Sequence, residues 1–238
     1  MLTLYQFPIS HYCEKIRWAL EYKNIEYKKV NLLPGLHTKK ANKLTSNSSL
    51  PILVHDKKVI NESSEIISYL DQAFPENSLT PDDQNLKQEA MQWEQFADEE
   101  LGSDVRRVCY NTLLNHPDII TPYFTENGPW YGKLYMKVTF PKLSQTMRKL
   151  MKLDDTTVIK INQRLSQAIE KAHTHIKDKE FFVGNSFTRA DLAVASLLAP
   201  LCKVKNYGIE WPEKFPEPLH STISEYEDKL DWVHRIYN

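Results

Sequence analysis

Residues Leu2 to Leu20 read as a strand, a tight turn and a helix in direct succession, and no other stretch constrains the fold as much. Leu2, Leu4 and Gln6 fall on one face of an alternating run, and Thr3, Tyr5 and Phe7 on the other, which is the period of a strand. Pro8 ends the run, Ser10 stands at a helix N-cap position, and Cys13, Ile16, Ala19 and Leu20 repeat at the spacing of one helix face. A strand that feeds directly into a helix aims unpaired backbone N–H groups and the positive end of the helix dipole at whatever sits over Ser10. Such a turn can hold an anion. Ser10 and Cys13 have the spacing of a C-x-x-C redox motif whose first sulfur has become a hydroxyl, so a thiolate is one candidate.

The next segments continue an α/β pattern. Tyr27 to Leu32 alternates as a second strand, and a helix between two strands implies a right-handed parallel βαβ unit. After a polar stretch around His37, Lys39 and Lys40, Leu50 to Val54 forms a third strand with Pro51 at its head. Asp56-Lys57-Lys58 turns into Val59-Ile60, and Asn61 to Ser64 caps a helix carrying Ile66, Ile67, Tyr69, Leu70 and Phe74. The order is βαβ, link, ββα.

From Thr80 the pattern becomes helical. Thr80 as cap, Pro81 at the first position and Asp82-Asp83 behind it predict one long helix through Val108, with Leu86, Ala90, Trp93, Ala97, Leu101 and Val105 on its apolar face. Between His116 and Phe140, prolines and glycines alternate with aromatic residues, which reads as an irregular stretch covering a pocket or forming a lid. Val158 to Ile176 and Ile223 to Val233 follow amphipathic helical spacing. Thr188 and Asp191 form a capping box, with Phe187 and Leu192 as its staple, before an Ala- and Leu-rich helix destined for the centre of this half.

Composition excludes several classes. Thirty basic against thirty-one acidic residues give a formal charge of -1, so nothing calls for nucleic acid or an anionic membrane as a partner. Three scattered cysteines fit a reducing compartment and make no metal-ligand spacing. No run approaches the roughly 18 apolar residues of a membrane span, and the chain is expected in the cytoplasm with no metal.

S-x-x-C after the first strand, a proline opening the third, and Glu-Ser opening the last helix of the α/β half together resemble the thioredoxin-like half of the glutathione transferases. The cap and buried helix at 188–201 are similar to that family's C-terminal domain, and the string S-H-Y-C-E-K-x-R-W-A-L at Ser10 to Leu20 resembles a bacterial branch of it. The resemblance implies a thioredoxin-like domain over residues 1–75 and an all-α helical bundle over 80–238. It further implies a glutathione transferase acting on an apolar electrophile, and a two-fold homodimer. Residue by residue it implies Ser10 as donor to the glutathione thiolate and the backbone of Leu50, beside a cis Pro51, as partner of the cysteinyl part. It likewise implies Glu62 and Ser63 at the γ-glutamyl end and His37, with Lys39 or Lys40, near the glycyl carboxylate. Tyr12, Arg106, Tyr110 and Trp130 are candidates for the electrophile pocket. Other readings of the same residues stay open: Ser10 as a plain N-cap, Glu62 and Ser63 as cap and first-turn acid, and Cys13 as a structural thiol or as the nucleophile of a thiol transferase or reductase. A binding module that keeps the fold without catalysis is a further alternative.

Overall fold

The computed structural model describes residues 1–238. Strands β1 (Leu2–Gln6), β2 (Tyr27–Asn31), β3 (Ile52–His55) and β4 (Lys58–Asn61) form one sheet in the order β2-β1-β3-β4. β1 pairs parallel with β2, Leu2 opposite Tyr27, and antiparallel with β3, Leu4 opposite Leu53. The alternation in β1 puts Leu2 and Leu4 in the core. Against them pack Ile16, Ala19 and Leu20 of α1 (His11–Tyr22) and Ile66, Ile67 and Leu70 of α3 (Ser63–Ala73). A five-residue helix α2 (His37–Ala41) lies in the link.

The helical half comprises α4 (Gln84–Phe96), a π-helical segment (Ala97–Gly102), α5 (Ser103–Leu113), α6 (Pro117–Thr125), α7 (Gly132–Met151), α8 (Asp155–Ile176), α9 (Arg189–Cys202) and α10 (Leu219–Tyr237). Its larger apolar core centres on α9, which packs against α1, α4 and α10 and is buried from Arg189 to Leu201. The capping box starts α9 as the sequence predicts. The Asp191 carboxylate, itself buried, accepts from Thr188 N at 2.9 Å and Phe182 N at 2.7 Å, and Phe187 and Leu192 lie in one cluster.

Two predicted features differ. The helix expected to be capped by Thr80 is capped by Asp83, whose carboxylate accepts from Asn85 N and Leu86 N, while the Thr80 hydroxyl is engaged elsewhere, donating to Asp71 at 2.6 Å and accepting from Arg189 Nη1 at 3.1 Å. The same helix widens into the π-helical segment before continuing as α5. The stretch expected to be irregular, 116–140, is mostly regular. Pro117 opens α6 at a position that needs no N–H, and α7 runs through Pro141. Tyr123 and Phe124 are core residues, and the Tyr135 hydroxyl donates to Pro34 O at 3.1 Å, fastening α7 to the loop after β2. No helix is long and apolar enough to cross a membrane.

Candidate functional site

Ser10 caps α1 with extended backbone, and its hydroxyl oxygen accepts from Cys13 N at 3.4 Å. An oxygen that accepts from the helix keeps its hydrogen to donate elsewhere. Ser10 is half-buried and lines a chamber of about 240 Å³, eleven of whose eighteen lining residues are hydrophobic. Phe7 and Ile9 come from the β1–α1 turn, Met147 and Met151 from α7, and Trp211 and Phe215 from the segment after α9.

Beside the chamber runs a larger polar groove of about 1380 Å³ between the α/β half and α4. Pro51, Glu62 and Ser63 line it. The Leu50–Pro51 peptide is cis, and Asn61 Nδ2 holds the loop on either side by donating to Ser49 O at 2.9 Å and Pro51 O at 3.0 Å. Glu62 has φ +97°, a conformation that costs a non-glycine residue about 1–3 kcal/mol. Its carboxylate accepts from Asn47 Nδ2 at 3.2 Å, and the next residue, Ser63, opens α3. The groove therefore has an acid and a helix N-terminus side by side at one end. Tyr12, Ser49, Leu50 and Arg106 border both cavities and mark where the groove opens into the chamber.

The other candidates are distributed unevenly. His37 lines the chamber with its ring 4.8 Å from that of Phe7, its Nδ1 accepts from Gly35 N, and burial lowers its pKa. Lys39 and Lys40 are not among the lining residues, and Lys40 instead lies over the Tyr5 ring. The Tyr12 ring borders both cavities, but its hydroxyl is committed to Asp98 O at 2.7 Å. Arg106 and Tyr110 lie one turn apart on α5 and share a face with Cys109 and Leu113, all four lining the chamber. Trp130 does not belong with them: it stands 94% exposed in the turn before α7 and lines neither cavity. A glycine- and proline-rich turn displays an aromatic side chain as readily as it covers a pocket with one. Cys13 is fully buried and burial pushes its thiol pKa up. No group of residues forms a metal site.

One residue of the site was not among the candidates. His11, adjacent to Ser10, is 4% exposed, and its Nε2 has no partner within the chain. Burial, and secondarily the nearby Arg106 charge, lower its pKa to about 3, so it lines the chamber as a neutral imidazole.

Residues 4–78 match the family model of the glutathione S-transferase N-terminal domain, and residues 134–217 that of the C-terminal domain. A probable glutathione S-transferase of Solanum tuberosum is 31% identical over 222 residues, spanning 91% of this chain and 80% of that protein. Glutathione S-transferase 1 of Dianthus caryophyllus is 40% identical over 96 residues, 39% of this chain and 42% of that protein. Among solved structures, the beta-etherase LigF of Sphingobium sp. strain SYK-6 matches with a TM-score of 0.67 at 18% identity, over 99% of this chain and 98% of that one. A glutathione S-transferase of Methylobacterium radiotolerans in complex with glutathione sulfonate matches with a TM-score of 0.62 at 17% identity, over 97% and 90%. At these identities the structural likeness is one of fold.

Proposed function

The chain belongs to the glutathione S-transferase family, and on that premise we propose that it lays glutathione along the polar groove, with the sulfur over Ser10, and delivers the thiolate to an apolar electrophile in the chamber. The observation that carries this reading is the junction of the two cavities. Leu50 borders both, Ser10 lies on the chamber side, and Glu62 and Ser63 lie on the groove side. A tripeptide bound by its γ-glutamyl end at Glu62 and Ser63 and by its cysteinyl backbone at Leu50 would bring its sulfur to the chamber mouth. The string at Ser10 to Leu20 supports a serine-type site of the bacterial branch.

Magnitudes agree with this role for Ser10. A free thiol of pKa about 8.5 is about 3% ionised at pH 7, and lowering the pKa by about two units takes about 2.7 kcal/mol and gives about 25-fold more thiolate. One hydroxyl hydrogen bond to a charged acceptor contributes about 1.5–3 kcal/mol, and the N-terminus of α1 adds about 0.3–1. Attack forms the carbon–sulfur bond while the electron pair of the breaking bond leaves with the displaced group, and the thiol proton goes to solvent. Further acceleration comes from holding the electrophile beside the sulfur. The burial of Cys13 argues against thiol transfer through that residue. Family membership also supports a homodimer, which sedimentation at micromolar concentration checks.

Capture on immobilised glutathione followed by assay with chlorodinitrobenzene tests the reading. The protein should bind, elute with free glutathione and turn over the aryl halide. Binding without turnover would sink the transferase reading for that substrate class and favour a non-catalytic module.

A further inference from the structure

The chain contains seven arginines, and six of them are paired. Arg17 holds Glu14, Arg107 and Arg164 hold Asp104, and Arg189 holds Glu94. Arg148 donates to Asn115, and Arg235 to the carbonyls of Lys179 and Glu180 in the turn after α8. Arg106 alone has neither an ion pair nor a side-chain hydrogen bond, and it stands at the mouth shared by groove and chamber. No aspartate or glutamate lines the chamber, so no acid within it answers that charge. One turn further along α5, Tyr110 lines the same wall. Its hydroxyl makes no hydrogen bond within the chain, and burial raises its pKa, keeping it a donor. Apart from Ser10, Ser48, Ser49, His37 and the neutral His11, the remaining wall is apolar, and about 240 Å³ lies just below the usual range for drug-sized ligands, which suits a single ring with short substituents.

We propose that the second substrate is a small aromatic or otherwise apolar electrophile bearing a carboxylate or another full negative charge, held by the Arg106 guanidinium and the Tyr110 hydroxyl. This deepens the transferase reading and rests on it for the reaction, though not for the binding. A guanidinium with a neutral donor beside it gives a carboxylate charge-assisted bonds, while the apolar walls take the ring. As the carbon–sulfur bond forms, negative charge moves from sulfur onto the acceptor, and the same cation stabilises it there.

The test compares chlorodinitrobenzene with its carboxylate-bearing counterpart, chlorodinitrobenzoate, on the full-length protein and on Arg106→Gln and Arg106→Lys. Each rate is divided by the spontaneous rate with glutathione. The carboxylate substrate should be favoured in kcat/KM by about tenfold, the low end for a charge-assisted hydrogen bond at a partly solvated arginine. The preference should vanish in Arg106→Gln, return in part in Arg106→Lys, and shrink as ionic strength rises. If the ratio is unchanged by Arg106→Gln, or if the variant raises KM for glutathione and lowers both rates together, the proposal is overturned, the second result assigning Arg106 to glutathione. A calorimetric comparison of the unreactive dinitrobenzoate and dinitrobenzene, with glutathione present, reads the proposal independently of turnover. Tighter binding of the carboxylate, lost in Arg106→Gln, supports it even where catalysis fails, and equal or no binding of the two overturns it.

Discussion

The Tyr12 hydroxyl fills the space that a side chain on Gly102 would occupy: a Cβ there would stand 2.6 Å from Tyr12 Oη and 3.0 Å from Leu197 Cδ1. The same hydroxyl donates to the carbonyl of Asp98 within the π-helical segment. A widened helical turn leaves room in the backbone ladder for a side chain to insert. Tyr12 of α1 thus anchors the α/β half in the one irregular turn of the α4–α5 helix. Gly102→Ala should cost about 1–3 kcal/mol, as overpacking of a filled site does. Tyr12→Phe should recover part of that loss in the double variant, since it removes the nearest atom. Urea unfolding of the four-member cycle measures it, and strictly additive losses would contradict the contact.

In the wall of the groove lies a balanced, largely buried charge cluster. The ammonium of Lys15, fully buried, is 2.9 Å from Glu94 Oε1 and 2.9 Å from Asp98 Oδ1, while Arg189 takes the other Glu94 oxygen and donates to Ser64 O and Ser68 Oγ of α3. Two cations face two carboxylates. Glu94→Gln leaves one buried positive charge unmatched, and the expected loss is about 3–5 kcal/mol in chemical denaturation. A loss below about 1 kcal/mol would mean that the cluster is not desolvated as its burial indicates.

His11 links stability to pH. Its folded pKa of about 3 lies below the ordinary value of 6.5, with Arg106 as the facing charge, so the unfolded chain takes up the proton first. The contribution of neutral His11 is complete above about pH 6.5 and is lost as pH falls toward 3, at about 1.4 kcal/mol per pH unit. The stability difference between the parent protein and His11→Gln should therefore shrink by about 2 kcal/mol from about pH 7 to about pH 5, other groups cancelling in the comparison. A difference independent of pH would contradict a buried, neutral His11.

The features legible in the sequence are those decided within a few residues. The alternation of Leu2 to Phe7, the cap at Ser10 and the Thr188–Asp191 box each rest on local backbone chemistry, and each element forms where those signals put it. Thr80 misled because its hydroxyl is engaged by residues distant in sequence, donating to Asp71 of α3 and accepting from Arg189 of α9. The π-helical segment escaped for the same reason, since its partner Tyr12 lies 86 residues away. Prolines at 117 and 122 suggested broken chain, yet a helix tolerates them at a first turn or where packing compensates. In the site, Arg106 and Tyr110 were visible as candidates four residues apart. Their shared chamber was not, because its far wall comes from Met147, Met151, Trp211 and Phe215, which are distant in sequence and carry no local signal that would bring them there.

The central claim is that the Ser10 hydroxyl stabilises a glutathione thiolate at the mouth of the chamber. Titrating the ultraviolet absorbance of bound glutathione against pH, in the parent protein and in Ser10→Ala, tests it most directly. The parent should show a thiol midpoint about two units below that of free glutathione, and Ser10→Ala should return it most of the way, with kcat/KM at pH 7 falling by roughly 10- to 100-fold. A midpoint unchanged by the substitution, with glutathione still bound, would contradict the account.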